Sequence, residues 1–310
     1  LLQIARENDK VVGITAAMSS GTGMSIMQSE LPARVFDVGI SEGHAVTFAG
    51  GLAKDGMHPF VAIYSSFLQR AYDHMIHDVA IQHLPVTFCI DRAGVVGEDG
   101  VTHHGAFDLA YLRSIPGMSI ASPSDAAMLR NLMFTSLTFN GPLALRYPRG
   151  KAIAATDEVM AAPMTWMEPG CGRQLARGSK VVFLSIGPIA AEVSKAVELL
   201  KDEGVDAAHY DMIWLYPLDT SIVDAVGRMN CPILTVEDGV TDGGLGSAVM
   251  ERLNDMGYNG RQVTRIGMPS HTFVEHGSIA ELYKICEMDA SSIAKAALRA
   301  INSHSMPAVQ

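Results

Sequence analysis

Apolar residues run almost unbroken through positions 60–64 and again through 86–90, as in strands buried on both faces of a parallel sheet. Between these runs Leu68, Tyr72, Met75, Ile76 and Val79 recur at helical spacing. Arg70, Asp73, His74, His77 and Asp78 take the other side, which predicts an amphipathic helix. The alternation continues in both directions. Upstream, LLQIARENDK reads as the second half of a helix. It is followed by a strand at 11–15, a loop at 19–23, a short helix, a strand at 34–38 and a helix from Ser41 and Glu42 to Lys54. Ala45, Val46, Phe48, Ala49 and Leu52 leave that last helix apolar nearly all round. It is expected to be buried, with Gly50 and Gly51 admitting a second backbone at close range. Downstream come a charged loop at 92–105, a helix at 106–114, a strand at 118–121, a helix opened by Ser124 and Asp125, and a strand at 143–147.

Periodicity lapses between 148 and 179, where prolines and glycines collect, and 151–178 is read as a linker. Beyond it, strands at 181–186, 205–210, 233–236 and 263–266 alternate with helices at 189–203, 219–228, 244–256, 278–286 and 289–302. The expected fold class is α/β: two three-layer α/β/α domains, at 1–150 and at 179–310. Open parallel sheets bind ligands beyond the carboxyl ends of their strands. Here those ends carry Tyr64-Ser65-Ser66-Phe67 and Asp91-Arg92-Ala93-Gly94.

With 310 residues, 48% of them hydrophobic and 18% charged, the chain has the material for two cores and lacks the composition of a disordered one. A formal charge of -10 argues against broad contact with nucleic acid or an anionic membrane. No apolar run is long enough to cross a bilayer, and the amino terminus lacks the layout of a signal peptide, so a cytoplasmic protein is expected. Cys89, Cys171, Cys231 and Cys286 show neither a paired nor a metal-ligand spacing and are expected as reduced thiols.

Inside that acidic total, Arg70, Arg92, Arg146 and Arg149 fall near strand ends. They read equally as a basic cluster for one phosphorylated metabolite or as surface arginines in loose ion pairs. Glu42 opens a helix, and on spacing alone a plain amino-terminal charge favoured by the dipole is the better reading. Asp99, His103 and His104, in GEDGVTHHG, suit either a substrate clamp or a turn. Adjacent histidines diverge and make poor joint metal ligands. His74 and His77, three apart on a helix, fit a solvated face better than a shared metal, and no metal site is expected. The stretch 237–247 follows a strand and opens a helix as a dinucleotide loop does. Its glycine order is wrong and its acidic flank would repel a pyrophosphate, so it is read as a turn and helix entry.

Four strings, VFDVGISEGHAVTFAGGLA, FVAIYSSFLQRAYDHMIHDVAIQHLPV, DRAGVVGEDGVTHHGAFDLAYLRSIP and LALRYPRG, resemble the 1-deoxy-D-xylulose-5-phosphate synthases. These are thiamine diphosphate enzymes of the transketolase superfamily. The resemblance covers essentially the whole chain and is densest from 34 to 150. It implies a transketolase-like pyrimidine-binding domain at 1–150, a transketolase C-terminal domain at 179–310, and a transferase that condenses pyruvate with glyceraldehyde 3-phosphate and releases carbon dioxide. Glu42, in the I-x-E-x-H-A-V motif, matches the glutamate that hydrogen-bonds the cofactor's aminopyrimidine ring and promotes its imino tautomer. Phe67 matches the aromatic stacked on that ring, and Ile40 an apolar contact near it. Tyr64, Arg92 and Arg149 match positions that hold the acceptor's phosphate. Asp99, His103 and Arg70 fall close to the reacting groups, with His103 suited to proton transfer.

Two positions depart from the family: Gly43 and His104 stand where glutamine is usual. The Gly-Asp-Gly motif with which the family's amino-terminal domain binds Mg2+ and the cofactor diphosphate is not among these 310 residues. The resemblance therefore implies a chain that is catalytically silent until that domain is supplied, and a homodimer. Two rival readings stand beside it. One is the C-terminal subunit of a split transketolase or the beta subunit of a related dehydrogenase; the other is a non-catalytic dimerisation or binding scaffold that keeps only the fold.

Overall fold

The alternating runs assemble into two sheets in the computed structural model, which describes residues 1–305. The last residues of the expected second domain, 306–310, lie outside the described residues. In chain order the strands are β1 (Val11–Thr15), β2 (Val35–Asp37), β3 (His58–Tyr64), β4 (Thr87–Asp91), β5 (Ser119–Ala121) and β6 (Leu143–Arg146). After them come β7 (Arg173–Ala176), β8 (Val181–Ile186), β9 (Ala207–Asp211), β10 (Trp214–Tyr216), β11 (Ile233–Val240) and β12 (Val263–Met268). The first sheet has the order β10-β5-β6-β4-β3-β1-β2 and is parallel except for β10. The second has the order β12-β11-β8-β9-β7 and is parallel except for β7. Every residue of β1, β4, β6 and β8 is buried, as strands covered on both faces require.

The two sheets are not independent bodies. β10 belongs to the second half of the chain yet pairs antiparallel with β5 at the edge of the first sheet, where Trp214 is fully buried and stacks 6.2 Å from Phe139. One buried apolar cluster includes Ile90 and Leu112 beside the first sheet together with Leu184 and Val223 from the second half.

Several expectations are corrected. The stretch read as a linker contains a helix, Asp157–Ala161, and the strand β7, which pairs with β9. β7 is an edge strand with mostly exposed side chains, so no apolar period reveals it. The single helix expected after β3 is four short pieces: an α turn at Ser65–Leu68, a 3-10 turn at Gln69–Ala71, an α turn at Tyr72–His74 and a π turn at Met75–Ala80. The helix Glu42–Lys54 buries Ala45, Val46, Ala49 and Ala53 but leaves His44, Thr47, Gly51 and Lys54 exposed along one stripe. Of its paired glycines, Gly50 meets another backbone: a Cβ there would come within 2.8 Å of the Asp78 carbonyl, whereas one on Gly51 would meet nothing within 4 Å. All four cysteines are free thiols, and no helix among the described residues is long and apolar enough to cross a membrane.

Candidate active site

β3 and β4 are paired in register, Tyr64 opposite Asp91, so the segments leaving both strands open on one edge of the sheet. The α turn after β3 runs into the 3-10 turn and brings Phe67 and Arg70, three residues apart, onto one side. Glu42 is the first residue of its helix and only 3% exposed. There the helix dipole favours its carboxylate, and Arg70 Nη1 donates to Glu42 Oε1 at 2.8 Å. The Arg70 guanidinium also lies 5.0 Å from the centre of the Phe67 ring.

From Phe67 the contacts continue. Its ring stacks on Tyr64 at 5.9 Å and meets His103 edge-on at 5.2 Å. The Arg92 guanidinium sits 3.9 Å over the Tyr64 ring and donates through Nη1 to Asp99 Oδ2 at 2.9 Å. Arg149 Nη1 reaches the same oxygen at 3.2 Å and donates to the Val96 carbonyl at 3.1 Å. An unbroken row thus runs Glu42, Arg70, Phe67, Tyr64, Arg92, Asp99, Arg149, with His103 resting on Phe67. Of the site residues expected from the sequence, Ile40 stands apart from this row, its side chain 79% exposed.

Arg92 adopts φ 57°, a left-handed backbone that costs a residue with a side chain on the order of 1–3 kcal/mol and concentrates at ligand-binding positions. Arg92 and Arg149 also line a cavity of about 290 Å3 with Lys151, Ser124, Tyr147 and Asp91. Burial pushes the Asp91 carboxyl up to about 6, against the opposing pull of the Arg92 amide and charge. Two guanidiniums already converging on one carboxylate oxygen are arranged to receive a second anion between them.

Arg146 does not join this cluster. It is 1% exposed, with Nε donating to Asp108 Oδ1 at 2.8 Å and Nη2 to the carbonyls of Gly105, at 3.2 Å, and of Asp238. Asp108 also accepts from Ser65 Oγ at 2.9 Å, so this buried pair lies under the turn that carries Phe67. His77 bonds exposed Asp73 at 2.9 Å on the solvated face, as expected. His74 instead packs on Gly43, where a Cβ would come within 2.6 Å of its ring. The glycine that departs from the family pattern therefore makes room for a histidine, a pairing that sequence spacing did not suggest.

His104 is buried and structural: its Nδ1 accepts from the Val96 amide at 3.1 Å, which leaves Nε2 to donate to the Glu275 carbonyl at 3.1 Å. The stretch 237–247, read as a turn and helix entry, is so only in its later part: β11 runs on through Val240, and the turn and the helix start follow it. Glu237 is buried and accepts the amides of Leu245, at 2.7 Å, and Gly246, at 2.9 Å, at the start of the helix Leu245–Asp255. Among the described residues, no group of three or more His, Cys, Asp or Glu side chains is set to hold a metal ion.

Comparison with known proteins assigns both halves. Residues 1–153 match the transketolase pyrimidine-binding domain and residues 170–293 the transketolase C-terminal domain. The chain is 53% identical over 298 residues to the 1-deoxy-D-xylulose-5-phosphate synthase of Parabacteroides distasonis, covering 95% of this chain and 46% of that one. It is 51% identical over 301 residues to the synthase of the same name from Bacteroides thetaiotaomicron, covering 96% and 46%. The chain thus spans a little under half the length of the curated relatives it matches. Among solved structures it superposes on a split-gene transketolase, described as an inactive beta4 tetramer, with a TM-score of 0.84 at 27% identity over 97% of this chain and 95% of that one. Transketolase from Campylobacter jejuni shares the fold at a TM-score of 0.77 and 17% identity, over 96% of this chain and 45% of that one. With both of its halves matched in this way, the chain belongs to the transketolase family.

Proposed function

We propose that this chain carries the pyrimidine-binding and C-terminal domains of a 1-deoxy-D-xylulose-5-phosphate synthase, which condenses pyruvate with D-glyceraldehyde 3-phosphate and releases carbon dioxide. The product would feed isoprenoid, thiamine and pyridoxal synthesis, in the cytoplasm. The observation that carries the proposal is the row from Glu42 to Arg149, in which a buried acid and a half-buried aromatic adjoin a pair of arginines.

The residues present fit one half of thiamine diphosphate. A carboxyl held at a helix start and a phenyl ring linked to it through Arg70 suit an aminopyrimidine, the first by hydrogen bonding and the second by stacking. For Mg2+ the described residues supply no group of three or more His, Cys, Asp or Glu side chains, and we assign the metal, with the diphosphate it would bridge, to a domain outside these 310 residues. When bound, the cofactor supplies the decarboxylation and carbon–carbon bond-forming chemistry.

The chain's own residues then divide the remaining work. Glu42 holds a proton at the pyrimidine ring nitrogen, with Arg70 fixing the carboxyl's orientation. Arg92, Arg149 and Tyr64 bind the acceptor's phosphate, and Asp99 keeps the two guanidiniums converged before it arrives. His103, stacked edge-on against Phe67, donates a proton to the acceptor's carbonyl oxygen as the new bond forms. A homodimer belongs to the same proposal, supported by the outward-facing Ile40 and the open stripe of the helix Glu42–Lys54; sedimentation of the purified chain tests it.

A second reading, the C-terminal subunit of a split transketolase, is favoured by the split-gene structure, whose chain this one covers almost end to end. One experiment separates the two. The chain, mixed with a diphosphate-binding domain from a close relative, is given pyruvate and glyceraldehyde 3-phosphate. Carbon dioxide release that needs both components supports the synthase, whereas turnover of ketose phosphates with none of pyruvate supports the split transketolase. Release by the 310-residue chain alone overturns the division of labour.

A further inference from the structure

The loop between β4 and the helix Asp108–Arg113 carries Asp99 and His103, yet much of its shape is set by the second half of the chain. Its base is closed by reciprocal backbone bonds between Gly94 and Gly105, both 2.8 Å. Above that base the loop makes short-range turns of its own, Gly100 bonding Gly97 and both His103 and His104 bonding Gly100, and further fastenings come from the second half of the chain. The Val95 amide, buried, donates to Asp238 Oδ1 at 3.0 Å, and Asp238 Oδ2 accepts from the Tyr283 hydroxyl at 2.9 Å. The Val96 amide reaches His104, which in turn donates to the Glu275 carbonyl. Gly97 and Gly100 lie against Gly277 and His276, so close that a Cβ would stand 3.2 Å from the Gly277 carbonyl and 3.0 Å from the His276 Cβ.

These anchors bracket the two chemically interesting residues: 95, 97 and 100 surround Asp99, and 100 and 104 surround His103. The loop's own bonds are short-range turns, and its glycines are costly to order, so the contacts from the second half of the chain add to a frame that is local on its own. Asp238 is 3% exposed at the end of β11, and an acid in that position is costly to bury unless it is bonded. Both of its oxygens are bonded, one to the loop and one to Tyr283. The fit is close on the loop side as well, since a Cβ on Gly94 would fall 2.1 Å from Asp238 Oδ2. At the other end of the row, Glu42 and Arg70 bond each other, and both belong to the first half of the chain.

We propose that Asp238 is a positioning residue for the acceptor end of the site: through the Val95 amide it fixes the loop that presents Asp99 to Arg92 and Arg149 and His103 to Phe67. It touches no reactant. The second domain thereby governs the end of the row that binds the acceptor's phosphate, at a distance from the Glu42 and Arg70 end. This inference rests on the proposed synthase function for its kinetic consequence and on geometry alone for its structural one.

The test uses Asp238→Ala and Asp238→Asn, the latter keeping an acceptor oxygen for Val95. In the 310-residue chain, amide hydrogen exchange across 95–104 is expected to accelerate by about tenfold or more in D238A and by far less in D238N, with the helix Glu42–Lys54 unchanged in both. In the assembly completed with the diphosphate-binding domain, KM for glyceraldehyde 3-phosphate is expected to rise by about tenfold in D238A, with KM for pyruvate within about twofold of the parent. Unchanged exchange in the loop, or equal damage at both ends of the site, overturns the proposal. If D238A does not fold, Tyr283→Phe removes only the hydroxyl that orients the carboxylate. Loop exchange that rises a few-fold then supports the proposal, and exchange that stays put overturns it. If the parent assembly ignores both substrates, the synthase reading fails, and the exchange measurement still decides the positioning role.

Discussion

Replacing Arg146 with methionine removes a guanidinium buried beneath the row. Its side chain is 2% exposed and that of its partner Asp108 is fully buried, with Nε and Oδ1 2.8 Å apart. Burial alone would pull the arginine's pKa down; Asp108 and Asp238 reverse that, leaving it above its ordinary value. Methionine restores much of the volume and none of the donors. The carbonyls of Gly105 and Asp238 each lose a bond, and Asp108 keeps only the Ser65 hydroxyl at 2.9 Å and the Leu109 amide at 2.8 Å. Breaking a buried ion pair from one side costs about 3–5 kcal/mol, a large share of the roughly 5–15 kcal/mol that holds an ordinary fold together. Urea unfolding of the chain, followed by circular dichroism, measures the loss. Asp108→Leu on its own is expected to be destabilising too. The double variant removes both members of the pair, leaving only Asp238 and Glu237 without the arginine's charge, so its loss should fall short of the sum of the two single losses by at least about 2 kcal/mol. A loss below about 1 kcal/mol for R146M, or strictly additive single losses, refutes the reasoning that the pair acts as a unit.

Other outcomes follow from the same geometry. Gly43→Gln, which restores the family's usual residue, drives a side chain into the His74 ring and is expected to cost about 1–3 kcal/mol, mostly recovered in the double variant with His74→Ala; thermal unfolding of the three variants checks this. Burial, partly offset by the Gly246 and Leu245 amides, raises the Glu237 carboxyl from its ordinary 4.5 to about 7. Between those values the folded chain binds more protons than the unfolded one, so stability falls as pH rises through the window, by on the order of 3 kcal/mol; Glu237→Gln should flatten that part of the profile in denaturant titrations run from pH 4.5 to 8. In the completed assembly, Glu42→Gln is expected to lower kcat by about a hundredfold or more with KM for glyceraldehyde 3-phosphate little changed. Arg149→Ala should do the converse, raising that KM by about tenfold or more; steady-state kinetics with each substrate varied separates the two patterns.

Which parts of this molecule were legible in advance follows from how far apart the interacting residues lie in the chain. Phe67 and Arg70 share a side because they are three residues apart on helical turns, and Arg92 meets Asp99 within a single loop; strand ends and spacing put them in the right place, while it was the family resemblance that singled them out as site residues. The break in the helix after β3 was hidden because its apolar period survives the change from α to π geometry. β7 and β10 are three or four residues long at sheet edges, too short to show a period.

The misplacement of Arg146 has a different cause. As a charge at a strand's end it read equally as part of a phosphate-binding cluster or as a surface arginine, yet β6 is buried through its last residue, and a strand covered on both faces gives its final side chain no route to solvent. The reading of β11 stopped at Val236 because Glu237 and Asp238 are acids, although the strand continues to Val240. Glu237 is satisfied by amides only 8 and 9 residues on, whereas the Asp238 carboxylate is tolerated in the interior because its partners arrive from distant parts of the chain: Val95 is 143 residues away in sequence and Tyr283 is 45. Local patterning reports what a segment can satisfy by itself. A buried charge records what the rest of the fold supplies, and in this chain the buried charges are what tie the second sheet to the loop bearing Asp99 and His103.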